Sequence, residues 1–177
     1  MADVSVRPAR PTDAERVARV QLTTWRTAYA GLLPRAALEL PEVQAAAIWL
    51  NAVEAPASTR HRVLVAQERD ELVGFVSTAP ADDDDLDGDS TAELTALLVE
   101  PRWGRRGHGS RLLAACVDGW QAEGARTAVA WAFEGDPATR AFLTSAGWEL
   151  DGRSRGLDIG SRVQHQLRYH VNVTLSD

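Results

Sequence analysis

The sequence predicts one α/β (α+β) domain in which a mixed sheet is layered against helices. Three observations support this. The expected elements run strand, two helices, three strands, helix, strand, helix and closing strands, an order that one layered sheet accommodates. The length, 177 residues, is that of a single domain, and a hydrophobic content of 45% supplies its core. No internal repeat and no long linker divides the chain, so residues 1–177 read as one unit.

Each element has a local justification. VSVR at 4–7 is a first strand. In PTDAER, Thr12 and Glu15 have the spacing of a capping box. They open a helix whose apolar positions Val17, Leu22, Trp25 and Tyr29 recur at helical spacing up to Gly31. A second helix is expected over 35–53, broken near Pro41. RVLVAQ and ELVGFVST flank the short polar turn ERD and read as an antiparallel hairpin. TAELTALLVE is the next strand, after the acidic stretch 82–89. Leu112, Leu113, Cys116, Val117 and Trp120 form an apolar stripe on a helix over 110–123, ended near Gly124. RTAVAWAF is a strand, and Asp136-Pro137 opens a short helix with aspartate as N-cap and proline first inside. That helix reaches Ala146, with Gly147 behind it. WEL and VQHQLRYHVNV are closing strands.

Charge and composition remove several function classes. The net charge of −6 leaves no broad cationic footprint for nucleic acid. Cys116 is the only cysteine, so no intrachain disulfide can form, and its place in an apolar stripe makes it a core residue. The first residues lack the continuous apolar run of a secretory signal, and no run reaches the ~18 apolar residues of a membrane span. The expected setting is the cytoplasm, with no membrane partner.

The segment VEPRWGRRGHGSRLL places Gly104, Gly107 and Gly109 with Arg102, Arg105 and Arg106 just ahead of an apolar helical run. Glycines lose the most backbone freedom on folding, so such a stretch usually needs a close approach to something. A Walker loop fails because Ser110 stands where its lysine belongs. A dinucleotide fingerprint from Gly107 fails because its third glycine would be Leu112. What remains is a strand, a turn of free amides over 105–110, then a helix N-terminus, which can hold a phosphate. A tight turn with solvated arginines fits the same spacing.

From 92 to 152 the chain resembles the GNAT superfamily of acetyl-CoA-dependent N-acetyltransferases. In that family a strand like AELTALLV leads into Gln/Arg-x-x-Gly-x-Gly/Ala, and this chain has GRRGHG, with Gly104 in the first position. The downstream pattern Asn-x-x-Ala-x-x-Phe-Tyr-x-x-x-Gly-Phe aligns with DPATRAFLTSAGW, matched by Phe142, Gly147 and Trp148 and replaced at Asp136. RTAYAGLLP is similar to substrate-side helices of bacterial members. The resemblance covers essentially the whole chain and implies the single-domain GNAT fold, a mixed, mostly antiparallel twisted sheet flanked by helices.

It also implies a chemistry. An acetyl group would pass from acetyl-CoA to a primary amine of a small molecule or peptide, with no metal. The diphosphate would lie on Arg105, Arg106, Gly107, His108, Gly109 and Ser110, and the thioester carbonyl near the strand amides of Leu98 and Val99. Asp136 and Arg140 are further cofactor candidates, although Asp136 already has a capping role and Arg140 reads equally as solvated. A lysine-like amine is about 4–5 kcal/mol short of its neutral form at pH 7, and Glu93 stands where the family often has its general base. It reads equally as a solvated strand-end glutamate. The family's tyrosine acid falls at Leu143, which cannot donate a proton. Tyr29 and Tyr169, the only tyrosines, are substitutes or packing residues, and solvent is a third proton source. Leu143 and Gly104 leave open a different class: a catalytically reduced acyl-CoA-binding sensor or scaffold. A homodimer is compatible with the family.

DDDDLDGDSTAEL imitates a calcium loop at Asp83, Asp85, Asp87 and Gly88, but the closing glutamate position falls on Leu94. The acidic run is instead expected to be a solvated, mobile loop, or an electronegative rim that attracts a cationic amine.

Overall fold

The computed structural model describes residues 4–174. Its strands are β1 (Val4–Pro8), β2 (Arg62–Glu68), β3 (Glu71–Pro80), β4 (Thr91–Val99), β5 (Thr127–Phe133), β6 (Glu149–Asp158) and β7 (Val163–Asn172). They form a seven-stranded sheet in the order β1-β2-β3-β4-β5-β7-β6. Every neighbouring pair is antiparallel except β4 and β5. The helices are α1 (Ala14–Ala28), α2 (Arg35–Leu38), α3 (Glu42–Glu54), α4 (His108–Ala122) and α5 (Pro137–Ser145). The expected α/β architecture is therefore present, with the break at Pro41 between α2 and α3.

Apolar stripes assign the layers. On one face Leu112, Cys116 and Trp120 of α4 pack with Val73, Val76, Leu94 and Ala130, and Trp148 meets Trp120 edge-on at 6.3 Å. On the other face Val17 and Leu22 of α1 and Trp49 of α3 pack on Val65 and Phe75, Trp49 lying 4.8 Å from the Phe75 ring. Each such fully buried side chain contributes about 1.5–3 kcal/mol. Cys116 lies in this core, and burial pushes its thiol up to about 12.

Two local expectations are corrected. Thr12 and Glu15 do not cap α1, because Pro11–Asp13 forms a 3₁₀ turn ahead of it. Asp13 stands at the start of α1 but bonds no helix amide; its carboxylate accepts the Arg10 N–H of the preceding turn at 2.7 Å and is gripped by the Arg7 guanidinium. The strand read as WEL runs from Glu149 to Asp158. It is the outer strand and all its residues are exposed, so its polar, glycine-containing sequence carries no apolar alternation to reveal it.

The feature that positions the site is an irregularity in β4. Ser77 pairs with Ala96 but Thr78 pairs with Leu94, leaving Thr95 as an extra bulged residue. The parallel pairing of β4 with β5 covers only Thr91–Leu94 against Thr127–Ala130. Beyond that point the two strands separate, and the sheet opens into a wedge.

Candidate active site

A cavity of about 620 Å³ fills this wedge. One wall is β4 from Leu94 to Val99 and the other is β5 from Ala130 to Phe133. The Glu100 N–H donates to the Val73 carbonyl at 2.9 Å, which sets the alternation along β4. Leu98, in register with Phe75, turns its amide toward β3, whereas the amides of Leu97 and Val99 turn toward the wedge, where no strand pairs with them. Of the two amides implied by the resemblance, only that of Val99 faces the cavity; the Leu98 amide serves the sheet.

One end of the cavity is the glycine-arginine turn. Arg105 and Gly107 both have left-handed backbone, φ 63° and 79°, so successive amides swing to one side, a geometry that curls N–H groups into an anion nest. The amides of Arg105 to Ser110 find no hydrogen-bond partner among the described residues, the first helical bond being Arg111 N–H to the Gly107 carbonyl at 3.1 Å. Gly104, Arg105, Gly107, His108, Gly109 and Ser110 all line the cavity. Helix α4 starts at His108, two residues earlier than the apolar stripe predicted.

The predicted cationic groups divide. Arg105 stands at the cavity. Arg106 is held back by Glu68 at 3.2 Å and by the Trp103 ring, 4.9 Å from its guanidinium. His108 is buried, with Nε2 on Glu68 Oε2 at 2.9 Å and Nδ1 without a partner among the described residues. Glu68, from the end of β2, thus braces two residues of the turn. Nothing in the sequence signals this, because the contact spans 40 positions.

Asp136 caps α5 by accepting the Thr139 N–H at 3.1 Å, and it also lines the cavity. Arg140 does not. Its guanidinium donates to the Tyr169 hydroxyl at 3.2 Å and to the Glu134 carbonyl at 3.1 Å. Tyr169 is packed in the core. Tyr29, the residue after α1, is on the cavity wall, hydrogen-bonded to the Thr139 hydroxyl at 3.3 Å and edge-on to Phe133 at 6.1 Å. Burial pushes its phenol up to about 12. Leu143 is fully buried against the cavity.

Glu93 lies on β4 just before the bulge, on the sheet face opposite α4 and off the cavity wall. Burial, and then the negative charge of Asp83, raise its carboxyl above the usual range. The acidic loop beside it is a clamp rather than a free solvated loop. Asp83 accepts from the Trp131 indole at 3.1 Å, and Asp83, Asp85 and Asp151 all pair with the buried Arg168, at 3.2, 2.6 and 2.6 Å. Arg168 holds the Asp85 carboxyl down to about 2. With Arg153 also on Asp85 at 3.1 Å, the carboxylates of the loop outside any ion pair among the described residues are the exposed Asp82, Asp84, Asp87 and Asp89.

The far end of the cavity takes Tyr29 and Leu33 from RTAYAGLLP, the segment that the resemblance puts on the substrate side. Trp25 and Leu33 from the N-terminal helical region, Trp131 and Phe133 of β5, and Leu157 and Gln166 of the last hairpin enclose it. Trp131 and Phe133 alternate in a strand and could have been flagged; Leu33, Leu157 and Gln166 come together only through tertiary structure.

Residues 22–148 match the model of the Acetyltransferase (GNAT) family. Among solved structures, the PaiA N-acetyltransferase from Thermoplasma acidophilum in complex with coenzyme A is 17% identical, with a TM-score of 0.76 over 96% of this chain and 99% of that one. YncA from Salmonella typhimurium, determined with its cofactor acetyl-CoA, is 17% identical, with a TM-score of 0.75 over 99% and 97%. The ribosomal-protein-S18-alanine N-acetyltransferase from Escherichia coli is 15% identical, with a TM-score of 0.68 over 98% and 96%. No curated protein sequence matches the chain. Among the described residues no helix is long and apolar enough to cross a membrane.

Proposed function

The chain belongs to the acetyltransferase (GNAT) family, and we propose that it transfers an acetyl group from acetyl-CoA to a primary amine of a small molecule or peptide. The observation that carries this reading is one continuous cavity running from the unpaired amides of 105–110, past the open edge of β4, to an apolar chamber. Such a path suits a long thioester with a diphosphate at one end and an acceptor at the other.

Bound acetyl-CoA supplies an activated acetyl thioester. The amides of Arg105 to Ser110, with the Arg105 guanidinium, hold the diphosphate, the helix N-terminus adding favourable partial charge. The Leu97 and Val99 amides donate to the thioester carbonyl, and fixed donors of this kind contribute ~3–4 kcal/mol where negative charge develops. Glu93 takes the ammonium proton, through water because its side chain is off the wall; its raised pKa makes it a stronger base than an ordinary glutamate. Tyr29 is favoured over Tyr169 as the proton donor to the departing thiolate, since only Tyr29 lines the cavity. Its high pKa keeps the proton available through the neutral range.

Thiol release from acetyl-CoA across a panel of amino acids, polyamines, aminoglycosides and peptides tests the proposal, with binding followed by calorimetry on the same samples. Turnover on at least one amine is expected. Binding without turnover on any of them would favour the sensor class, for which the buried Leu143 at the acid position is the supporting observation.

A further inference from the structure

One arginine beside the acceptor chamber has no anionic partner. Arg155 lies in β6 directly opposite Gln166, and its Nε donates to Gln166 Oε1 at 2.7 Å. Its guanidinium stacks on Trp131, 4.3 Å from the ring centroid. Gln166 and Trp131 both line the cavity, as does Leu157, two residues further along β6 and therefore on the same side of the strand. Among the described residues Nη1 and Nη2 of Arg155 have neither a hydrogen-bond nor an ion-pair partner. The neighbouring arginines differ: Arg168 is committed to Asp83, Asp85 and Asp151, and Arg153 to Asp85.

Stacking and the Gln166 contact fix the guanidinium plane while leaving its outer fork free. A preorganised, weakly hydrated fork of this kind matches a carboxylate bidentately. Glu93 lies on the same face of the sheet, since it pairs with Val129 and side chains alternate from Val129 to Trp131. Glu93 feels the charge of Arg155 without forming an ion pair with it, and Asp83 is taken by Arg168. Glu93 and Arg155 thus lie on one face of the sheet beside the apolar chamber of Trp25, Leu33, Phe133 and Leu157; neither is on the wall itself, and Arg155 is held against the wall residues Trp131 and Gln166.

Resting on the acetyltransferase reading, we propose that the acceptor is an amine that also carries an anionic group, of the amino-carboxylate class, and that Arg155 binds that group. The ammonium is drawn to Glu93, the carboxylate to Arg155, and the body of the molecule to the apolar walls.

The test compares kcat/KM for acceptors that differ only in the carboxylate, phenylalanine against phenethylamine and leucine against isoamylamine, within the wider amine panel. In the wild type the acid of a pair is expected to be preferred by about tenfold, because the stacked guanidinium fork offers a charge-assisted bidentate contact that the analogue cannot make. Arg155→Met, which retains a side chain to cover Trp131, should collapse that ratio about tenfold, mainly through KM. Arg153→Met, an equal charge change nearby, should leave the ratio unaltered. Equal or better use of carboxylate-free amines by the wild type overturns the proposal, as does an equal loss of the ratio in Arg153→Met. Bound acetyl-CoA with no turnover on any amine overturns the transferase reading as well, whereas preference for an uncharged tail overturns only the anionic acceptor.

Discussion

The two ends of the cavity are built in different ways. The glycine-arginine end is contiguous: residues 104–110 supply backbone amides, two left-handed turns and a helix start within seven positions. The apolar end is assembled from side chains of α1, the loop after it, β5, β6 and β7, which meet only because the sheet order places β7 between β5 and β6. A backbone site tolerates almost any side chain but demands particular φ and ψ values. A side-chain site makes no demand on φ and ψ but depends on distant segments arriving together. The first kind leaves a sequence signature, and the second leaves almost none.

The largest break in this comparison is expected at Gly107, where φ is 79° and an added Cβ would stand 3.1 Å from the Arg111 guanidinium. Gly107→Val should weaken acetyl-CoA binding about a hundredfold by calorimetry, because a β-branched residue strongly disfavours the left-handed turn. Thermal unfolding should shift modestly, the strain costing about 1–2 kcal/mol.

Glu93→Gln should lower kcat by roughly 10²-fold while leaving acetyl-CoA affinity near wild type. A carboxyl with a raised pKa disfavours ionisation in the folded state, so ionised Glu93 lowers stability at neutral pH. The glutamine variant should therefore melt higher at pH 7, and the gap should close as pH falls through the raised pKa. The wild-type rate should fall along the same limb, at a higher pH than an ordinary glutamate would give. An unchanged rate with a true substrate removes Glu93 from the mechanism.

The smallest effect is expected at Tyr29. Tyr29→Phe should lower kcat by about tenfold, since solvent can protonate a thiolate in its place. With the phenol at about 12, no loss of activity assignable to its ionisation is expected below pH 10.

The same contrast explains what the sequence disclosed. The strand, turn and helix around Gly107 were legible because periodicity and glycine spacing are local. The capping expectation at Thr12 failed because Arg7, reaching from β1, recruits Asp13 into a different turn. The full length of β6 was hidden because an exposed outer strand needs no apolar alternation. Arg140 lay one helical turn from a matching motif position, yet Tyr169 and the Glu134 carbonyl hold it elsewhere. The acidic loop carried no hint of Arg168, its partner 83 positions away from Asp85.

A crystal structure with coenzyme A tests the central claim most directly. The diphosphate oxygens are expected within hydrogen-bonding distance of the amides between Arg105 and Ser110, with the pantetheine arm lying between β4 and β5. Coenzyme A bound elsewhere, or a diphosphate making no contact with those amides, would contradict it.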